Sequence, residues 1–519
     1  MAKKFVVWDD ITKELGSAGN ISRSRVRDLF SSPFWDNIPD KPSVYPPELH
    51  ASTHAKGGSD ELSLDATQIT SGVLSADRIP ELDASKITSG LLDVARLPKN
   101  DLYIWYGLAG PDALAQDIEN GVIDVDTAAS LLNMYVDLAS KIDLGLIDKY
   151  KGVERAVSVL GSTNISATTA HNILASAYLT ADYVQTILYR MIELGYISKV
   201  IEILTATAAD GSITADTTIT GTNRYKNLII DTGITLIVDG QPGVIIAETI
   251  TNNGTILKTA TGGPGGTTPT APGAGGTGGG GLIIIAKSYA GGVVSADGEA
   301  GEAGKTTAAA SGIGGAGGDG SMVVVGTDSP GNGGNGGSAL AGNGGDGGTP
   351  GGGGGGGSNS SSGAGGNGGN ITLTTKSSYS EVFEEILKAV IDWYIVNVLG
   401  KSPTSTMSLY NCYGAGGGGG GENNNYADCG GGGGSGGHIL MCVVSINGGI
   451  FTAVGGAGGN GGIEGNFDAG AGGGGGGIVY ILYKTLVASP TIDVSGGARG
   501  TGDYNGAAGT AGTGVAVQV

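Results

Sequence analysis

What most constrains this chain is where its glycine lies. Of 519 residues 103 are glycine, mostly after residue 260, and only six phenylalanines serve the whole chain. An ordinary domain holds roughly 7% glycine, and glycine loses more backbone freedom on folding than any other residue. The C-terminal half therefore cannot be an average packed core. It is either unfolded or held in a regular backbone that needs glycine.

Its internal order favours the second. A unit recurs: a glycine run, an aliphatic strand, a short connection, a second short strand, and more glycine. Gly281-Leu-Ile-Ile-Ile-Ala-Lys287 leads to Gly291-Gly-Val-Val-Ser-Ala296. His438-Ile-Leu-Met-Cys-Val-Val444 leads to Gly448-Gly-Ile-Phe-Thr-Ala-Val454, and Ile478-Val-Tyr-Ile-Leu-Tyr483 to Thr491-Ile-Asp-Val-Ser495. Partial copies stand at Met322-Val-Val-Val325 and Ile371-Thr-Leu-Thr374. A flexible linker carries no such aliphatic runs. Two backbones suit the glycines: a polyglycine-II lattice of three-residue-per-turn extended helices, or wide turns between the rungs of a β-solenoid. In both, the missing Cβ lets backbones approach and pair their polar groups.

One insertion interrupts this half. Residues 379–400 read as a helix, with Ser380 as its cap, Glu384 and Glu385 in its first turns and Gly400 at its end. It is too charged for a membrane span and reads as a surface helix, covering an apolar edge or meeting a host.

The rest of the chain divides by composition. Residues 1–47 are a proline-stiffened anchoring segment, with the basic cluster Arg23, Arg25 and Arg27. Residues 48–107 hold a repeat of 18 residues, Asp65-Ala-Thr-Gln-Ile69-Thr-Ser-Gly72…Arg78-Ile-Pro80 and Asp83-Ala-Ser-Lys-Ile87-Thr-Ser-Gly90…Arg96-Leu-Pro98. Neither copy has enough apolar surface to fold alone, which favours an intertwined trimeric shaft. Residues 108–205 show helical spacing and predict four or five short helices, as a bundle or a collar. Asp126 and Thr180 are the expected N-caps, Gly195 an expected C-terminal stop, and His171 a core residue. Residues 206–260 predict short strands at 227–231, 234–238, 244–247 and 255–257, parted by turn signals at Asp239-Gly240 and Asn253-Gly254. Residues 261–519 form the glycine-rich head. The expected fold is multidomain and fibrous, mostly β.

A net charge of −20 argues against nucleic acid, which demands a basic stripe. The N-terminal residues show no apolar signal core, and no apolar run approaches the ~20 residues of a membrane helix, so neither ordinary secretion nor membrane insertion is expected. Cys412, Cys429 and Cys442 lack zinc spacing. Cys412 and Cys429 flank one glycine-rich loop and suit either a bridge or two buried thiols.

The stretch Trp35-Asp-Asn-Ile38-Pro-Asp-Lys41-Pro42-Ser-Val-Tyr45-Pro46-Pro47-Glu-Leu-His50 resembles a segment of viral tail-fibre proteins, as do His50-Ala-Ser-Thr-His54-Ala-Lys-Gly57-Gly58 and the Ile-Thr-Ser-Gly…Arg-Ile-Pro repeat. Together these cover about an eighth of the chain. The glycine-rich half is similar, in composition and rhythm, to phage tip adhesins that sandwich polyglycine-II helices. The resemblance implies a virion protein anchored to a tail or baseplate partner by its N-terminus, a homotrimeric shaft, and a distal tip that binds a host-surface glycan or protein.

No catalytic constellation or cofactor is expected. His50 and His54 suit a structural metal on a threefold axis, or are ordinary turn histidines. Asp297, Glu299 and Glu302 are the carboxylates to weigh for a polysaccharide-depolymerising tailspike, and solvated turn carboxylates otherwise. A cellular glycine-rich surface protein is the third alternative. For receptor contact the tyrosine- and asparagine-rich loops stand out: Tyr410, Tyr413, Tyr426 and Tyr504. Tyrosine offers a flat apolar face and a hydroxyl at low entropic cost, though it also covers strand edges.

Overall fold

The computed structural model describes residues 111–141, 149–260, 274–303, 321–322, 378–407, 412–413, 415, 417, 422–423, 427–461 and 469–519. The expected anchor, the repeat shaft, the aliphatic runs 323–325 and 371–374, and His50 and His54 lie outside them.

Six helices precede the β structure: α1 (Pro111–Glu119), α2 (Val125–Lys141), α3 (Lys149–Gly161), α4 (Ala167–Ala175), α5 (Ala181–Glu193) and α6 (Ile197–Thr205). Thr180 caps α5 by accepting from the Tyr183 amide, and Gly195 follows it with φ +85°. Asp126 does not cap α2. That role falls to Asp124, whose carboxylate accepts from the Thr127 amide at 2.9 Å and its hydroxyl at 2.6 Å. Asp126 lies two residues on, in the first turn, and accepts from Ser176 Oγ at 2.9 Å, tying α2 to the end of α4.

The strands are β1 (Gly211–Ile213), β2 (Thr217–Ile230), β3 (Thr235–Asn252), β4 (Thr255–Lys258), β5 (Gly281–Ala290), β6 (Val293–Ser295), then two-residue β7 (Ser321–Met322), β8 (Cys412–Tyr413), β9 (Glu422–Asn423) and β10 (Ala427–Asp428), then β11 (His438–Asn447), β12 (Ile450–Thr452), β13 (Ile478–Ala488), β14 (Thr491–Asp493) and β15 (Thr513–Gln518). Eleven of them form one sheet, parallel throughout. Its ends approach each other, since a Cβ on Gly514 of β15 would lie 2.5 Å from Ile492 of β14. The strand expected to break at Asp239-Gly240 runs on as β3. Gly240 takes φ +90° and Gly221 on the neighbouring strand φ +66°, so both long strands bend where the pairing shifts by three residues, from Thr220 opposite Asp239 to Thr222 opposite Val244.

The recurrent sequence unit is a strand–turn–strand step, and successive steps stack in register. Ile285 pairs with Cys442 and Cys442 with Leu482, while Val294 pairs with Phe451 and Phe451 with Ile492. The turns are Gly291-Gly292 and Gly448-Gly449, all four at positive φ. Below them Asn252 shapes the equivalent turn by bonding Tyr289 Oη, the Val293 carbonyl and the Gly254 amide.

The first six residues of β5, β11 and β13 are buried on both faces, which is why they read as continuous aliphatic runs rather than alternating ones. Ile283, Ile285, Leu440, Cys442, Tyr480 and Leu482 join a core with all six N-terminal helices. Ile284, Met441, Val479 and Ile481 face inward with Ile256, Val294 and Phe451 of the short strands. The helical stretch and the head thus share one core.

Helix α7 (Tyr379–Asn397) belongs to the same core, so the expectation of a surface helix is corrected. Val382, Phe383, Ile386, Leu387, Val390, Ile391, Tyr394 and Ile395 are all buried, between α5 and the sheet. Its cap is Ser378, which accepts from the Glu381 amide, not Ser380, and Gly400 follows at φ +65°. Asp392 is fully buried yet satisfied, accepting from Gln185 Nε2 (2.7 Å), Tyr189 Oη (2.7 Å) and the Met407 amide (2.6 Å).

The glycine segments extend the stack beyond the strands in two columns. In one, segments 274–280, 429–437, 469–477 and 504–512 run parallel, joined by bonds such as Gly276 N to Gly432 O, Gly433 N to Gly472 O and Gly473 N to Ala507 O, at 2.8–3.0 Å. In the other, 296–303, 453–461 and 494–501 do the same through Gly298 N to Val454 O and Gly455 N to Ser495 O. The columns join antiparallel, through Gly434 N to Glu299 O, Gly456 N to Gly434 O and Gly474 N to Gly456 O. Along each segment, amides that serve the same neighbour are three residues apart: 430, 433 and 436 bond to one segment, 431, 434 and 437 to another. A chain with three residues per turn presents its amides in this way.

That geometry explains the glycine spacing. Residues 430–434 are five consecutive glycines and buried, with neighbours on every side. Segment 504–512 lies at an edge, and there only every third residue must be glycine. A Cβ on Gly506, Gly509 or Gly512 would lie 1.9 Å from the carbonyl oxygen of Ala471, Gly474 or Gly477. Between them Ala507, Ala508, Thr510 and Ala511 are exposed.

Candidate functional site

The segments all end at one of two places: against the strands, or at the opposite end of the columns. Chain direction puts Asp428, residue 461, Ala469, and the turn at 501–505 together at that far end. The bonds there are Gly430 N to Ala469 O (3.1 Å), Gly461 N to Thr501 O (2.8 Å) and Gly470 N to Tyr504 O (2.8 Å), and Ala469 forms a parallel bridge with Tyr504. This end carries the candidate site.

The turn at 501–505 is held by side chains as well as backbone. Asn460 Oδ1 accepts from the Thr501 amide at 2.9 Å and its hydroxyl at 3.0 Å, fastening the turn to the adjacent segment. Asn505 Oδ1 accepts from the Gly502 amide at 3.4 Å, closing it from within. Thr501, Gly502, Asp503, Tyr504 and Asn505 are all exposed, as is Asn460. Tyr504 is 40% exposed and is one of few large side chains open to solvent in the glycine body.

The tyrosines singled out in the sequence fall into two places. Tyr504 is at the far end, and the antiparallel pair β9–β10, whose intervening residues include Tyr426, leads directly into Cys429 there. Tyr413 is at the other end. It pairs with Ser321 in β7–β8, and Ala415 just after it accepts from the Ser435 amide close to the start of β11. Tyr426 itself and Tyr410 lie outside the described residues.

The candidate carboxylates are occupied in structural roles. Asp297 accepts from Ser295 Oγ (2.7 Å), Thr452 Oγ1 (3.1 Å) and the Val454 amide (2.7 Å), locking one step of the stack to the next. Glu299 and Glu302 are exposed and reach back to the Thr277 and Ala274 amides at 3.3 and 3.4 Å. Cys429 and Cys442 are buried thiols, and burial pushes the Cys442 thiol far above its ordinary range. Among the described residues no group of three or more His, Cys, Asp or Glu is placed to hold a metal, and no helix is long and apolar enough to cross a membrane.

Both described histidines are buried. His171 Nδ1 meets Tyr394 Oη, whose hydroxyl also donates to the Ile203 carbonyl, and burial together with Arg224 lowers the imidazole's pKa. His438 opens β11 between Gly281 and Ile478, 1% exposed, with neither ring nitrogen hydrogen-bonded. Burial lowers its pKa to about 4. Sequence inspection passed over the true constituents of the far end, Asn460 and Thr501. The only available signal was that each follows a glycine-spaced run at a third-residue position.

No protein-family model, curated protein or solved structure matches the chain.

Proposed function

We propose that the chain is a virion attachment protein that holds a glycine-built tip toward a host-cell surface. The observation that carries this reading is the far end of the glycine columns. There backbone bonds, with the side-chain oxygens of Asn460 and Asn505, fix a platform, and exposed polar and aromatic side chains lie on it. We take the columns as a polyglycine-II lattice, which three-residue amide spacing and the Cβ clashes support. The tail-fibre-like motifs between Trp35 and Pro98 then belong to a virion anchor and a homotrimeric shaft. On this reading the chain is a binder rather than an enzyme, and the commitments of Asp297, Glu299 and Glu302 to the lattice support that.

The test uses the purified full chain. Sedimentation and negative-stain imaging are expected to give a trimer with a thin shaft and a compact distal head. Fluorescently labelled protein is expected to decorate at least one member of a panel of bacterial and archaeal strains. A compact monomer that decorates none would overturn the proposal.

A further inference from the structure

We infer that the turn at residues 501–505, with Asn460, is a binding site for a neutral saccharide. This rests on the attachment reading and deepens it by choosing between a glycan and a protein receptor. Three features carry it.

The first is preorganisation. The Tyr504 carbonyl accepts from Gly470 at 2.8 Å and the residue is bridged to Ala469, so its ring stands on backbone that does not have to order on binding. A tyrosine so held loses little entropy when a ligand stacks on it. The second is unused hydrogen-bonding capacity of the right kind. A carboxamide has one acceptor oxygen and an NH2 with two donors. Asn460 and Asn505 each spend the oxygen on the turn itself, on Thr501 and on Gly502, which leaves both NH2 groups for a ligand. Exposed Asp503, in the same turn, adds an acceptor carboxylate. An aromatic face in the same small turn region as two amide donors and one carboxylate acceptor complements a sugar, which has an apolar C–H face rimmed by hydroxyls that both donate and accept. The third is charge. Asp503 sits within the turn and the chain carries −20 overall, which opposes sialylated, sulfated or phosphorylated ligands.

The residues of the site are all exposed, so affinity at one copy is weak, and several copies on one particle raise it by avidity. The probe is therefore the full chain displayed on beads. It is applied to immobilised oligosaccharides ending in neutral hexoses or N-acetylhexosamines, with sialylated and sulfated ones beside them. Saturable binding to a neutral member is expected, at least tenfold weaker in Tyr504→Ala, kept in Tyr504→Trp, weakened in Asn505→Ala, and unchanged in Tyr178→Ala. Tyr178 is a more open tyrosine of the helical stretch, 52% exposed against 40% for Tyr504. Binding to no neutral member, binding only to anionic members, or equal binding by Tyr504→Ala overturns the inference. The strain panel separates this from failure of the attachment reading. Decoration that survives Tyr504→Ala and is abolished by protease treatment of the cells leaves attachment standing and gives it a protein receptor. Decoration of no strain removes attachment itself.

Discussion

Replacing Gly497 by alanine is expected to unfasten the glycine lattice, whereas changing its neighbour Ala498 is not. The Gly497 amide donates to Gly474 O at 2.7 Å and its carbonyl accepts from Gly509 N at 3.0 Å. A Cβ there would lie 1.9 Å from Gly456 O and 2.5 Å from the carbon bearing it. Relief to ordinary contact moves one segment by more than an ångström, enough to break both bonds and to strain the bond from Gly474 N to Gly456 O. Three buried backbone bonds at roughly 1 kcal/mol net each, less about 0.5–1 kcal/mol that alanine gains by restricting the unfolded chain, leave a loss of about 2–2.5 kcal/mol. Ala498 is exposed, and Ala498→Ser is expected within about 0.5 kcal/mol of the parent. Urea unfolding gives the overall shift. Because a chain of this size need not unfold in one step, amide hydrogen exchange of segments 469–477 and 494–512 is the deciding measurement. Faster exchange confined to those segments in Gly497→Ala is the expected result. Equal exchange in the two variants would refute the assignment of which residues face inward.

Two buried bases make stability depend on pH with the same sign in different windows. His438 is held at about 4 in the folded chain against 6.5 unfolded, so only the unfolded chain binds a proton between those values. Stability is therefore full above pH 6.5 and falls as pH drops toward 4, by about 3 kcal/mol in all. His438→Leu should remove that slope, measured as denaturation midpoints at pH 7 and pH 5. Lys258, 1% exposed, is lowered by burial from 10.5 to about 8. Stability should rise from pH 8 to 10.5, and Lys258→Met should flatten the rise and stabilise the chain at pH 7 by about 3 kcal/mol at most. Asp392→Ala leaves Gln185, Tyr189 and the Met407 amide without their shared acceptor, at a cost of about 3 kcal/mol. A lowered melting temperature with altered fluorescence of the neighbouring Trp393 would report it, and an unchanged melt would sink the claim.

How much of this was legible depended on whether a signal was local. Thr180 and Gly195 were readable because a cap and a left-handed stop are decided within one turn. Asp126 was misplaced by two residues because Asp124 has the same side chain and the choice turns on which carboxylate meets the Thr127 amide. The aliphatic runs told of strands, but not that both of their faces are buried or that α7 covers one of them. That packing joins residues some 200 apart, as in the bond from Tyr189 to Asp392, and no local pattern reports it. The bend at Gly240 was read as a turn because a glycine at positive φ looks the same in sequence whether a strand reverses or merely shifts register.

The glycine spacing holds more information than its abundance suggests. Each segment has three faces per turn, and each face turned toward another backbone excludes Cβ. A run of consecutive glycines therefore marks a surrounded segment. A glycine pair between larger residues, as in Gly455-Gly-Ala457-Gly-Gly-Asn460, marks one face open, and a single glycine in three, as in Gly506, Gly509 and Gly512, marks an edge. Open faces and the turns between segments contribute no backbone bond to the lattice through their side chains. They can change chemistry without loosening it, provided that the few turn fasteners such as Asn460 Oδ1 remain. This separates packing from surface chemistry, which in an ordinary core the same side chains would supply together. The separation also sets where tolerance should end. Substitution at Ala498, Ala507 or Asp503 should leave folding intact, whereas the adjoining glycines at 497, 506 and 509 should accept nothing larger.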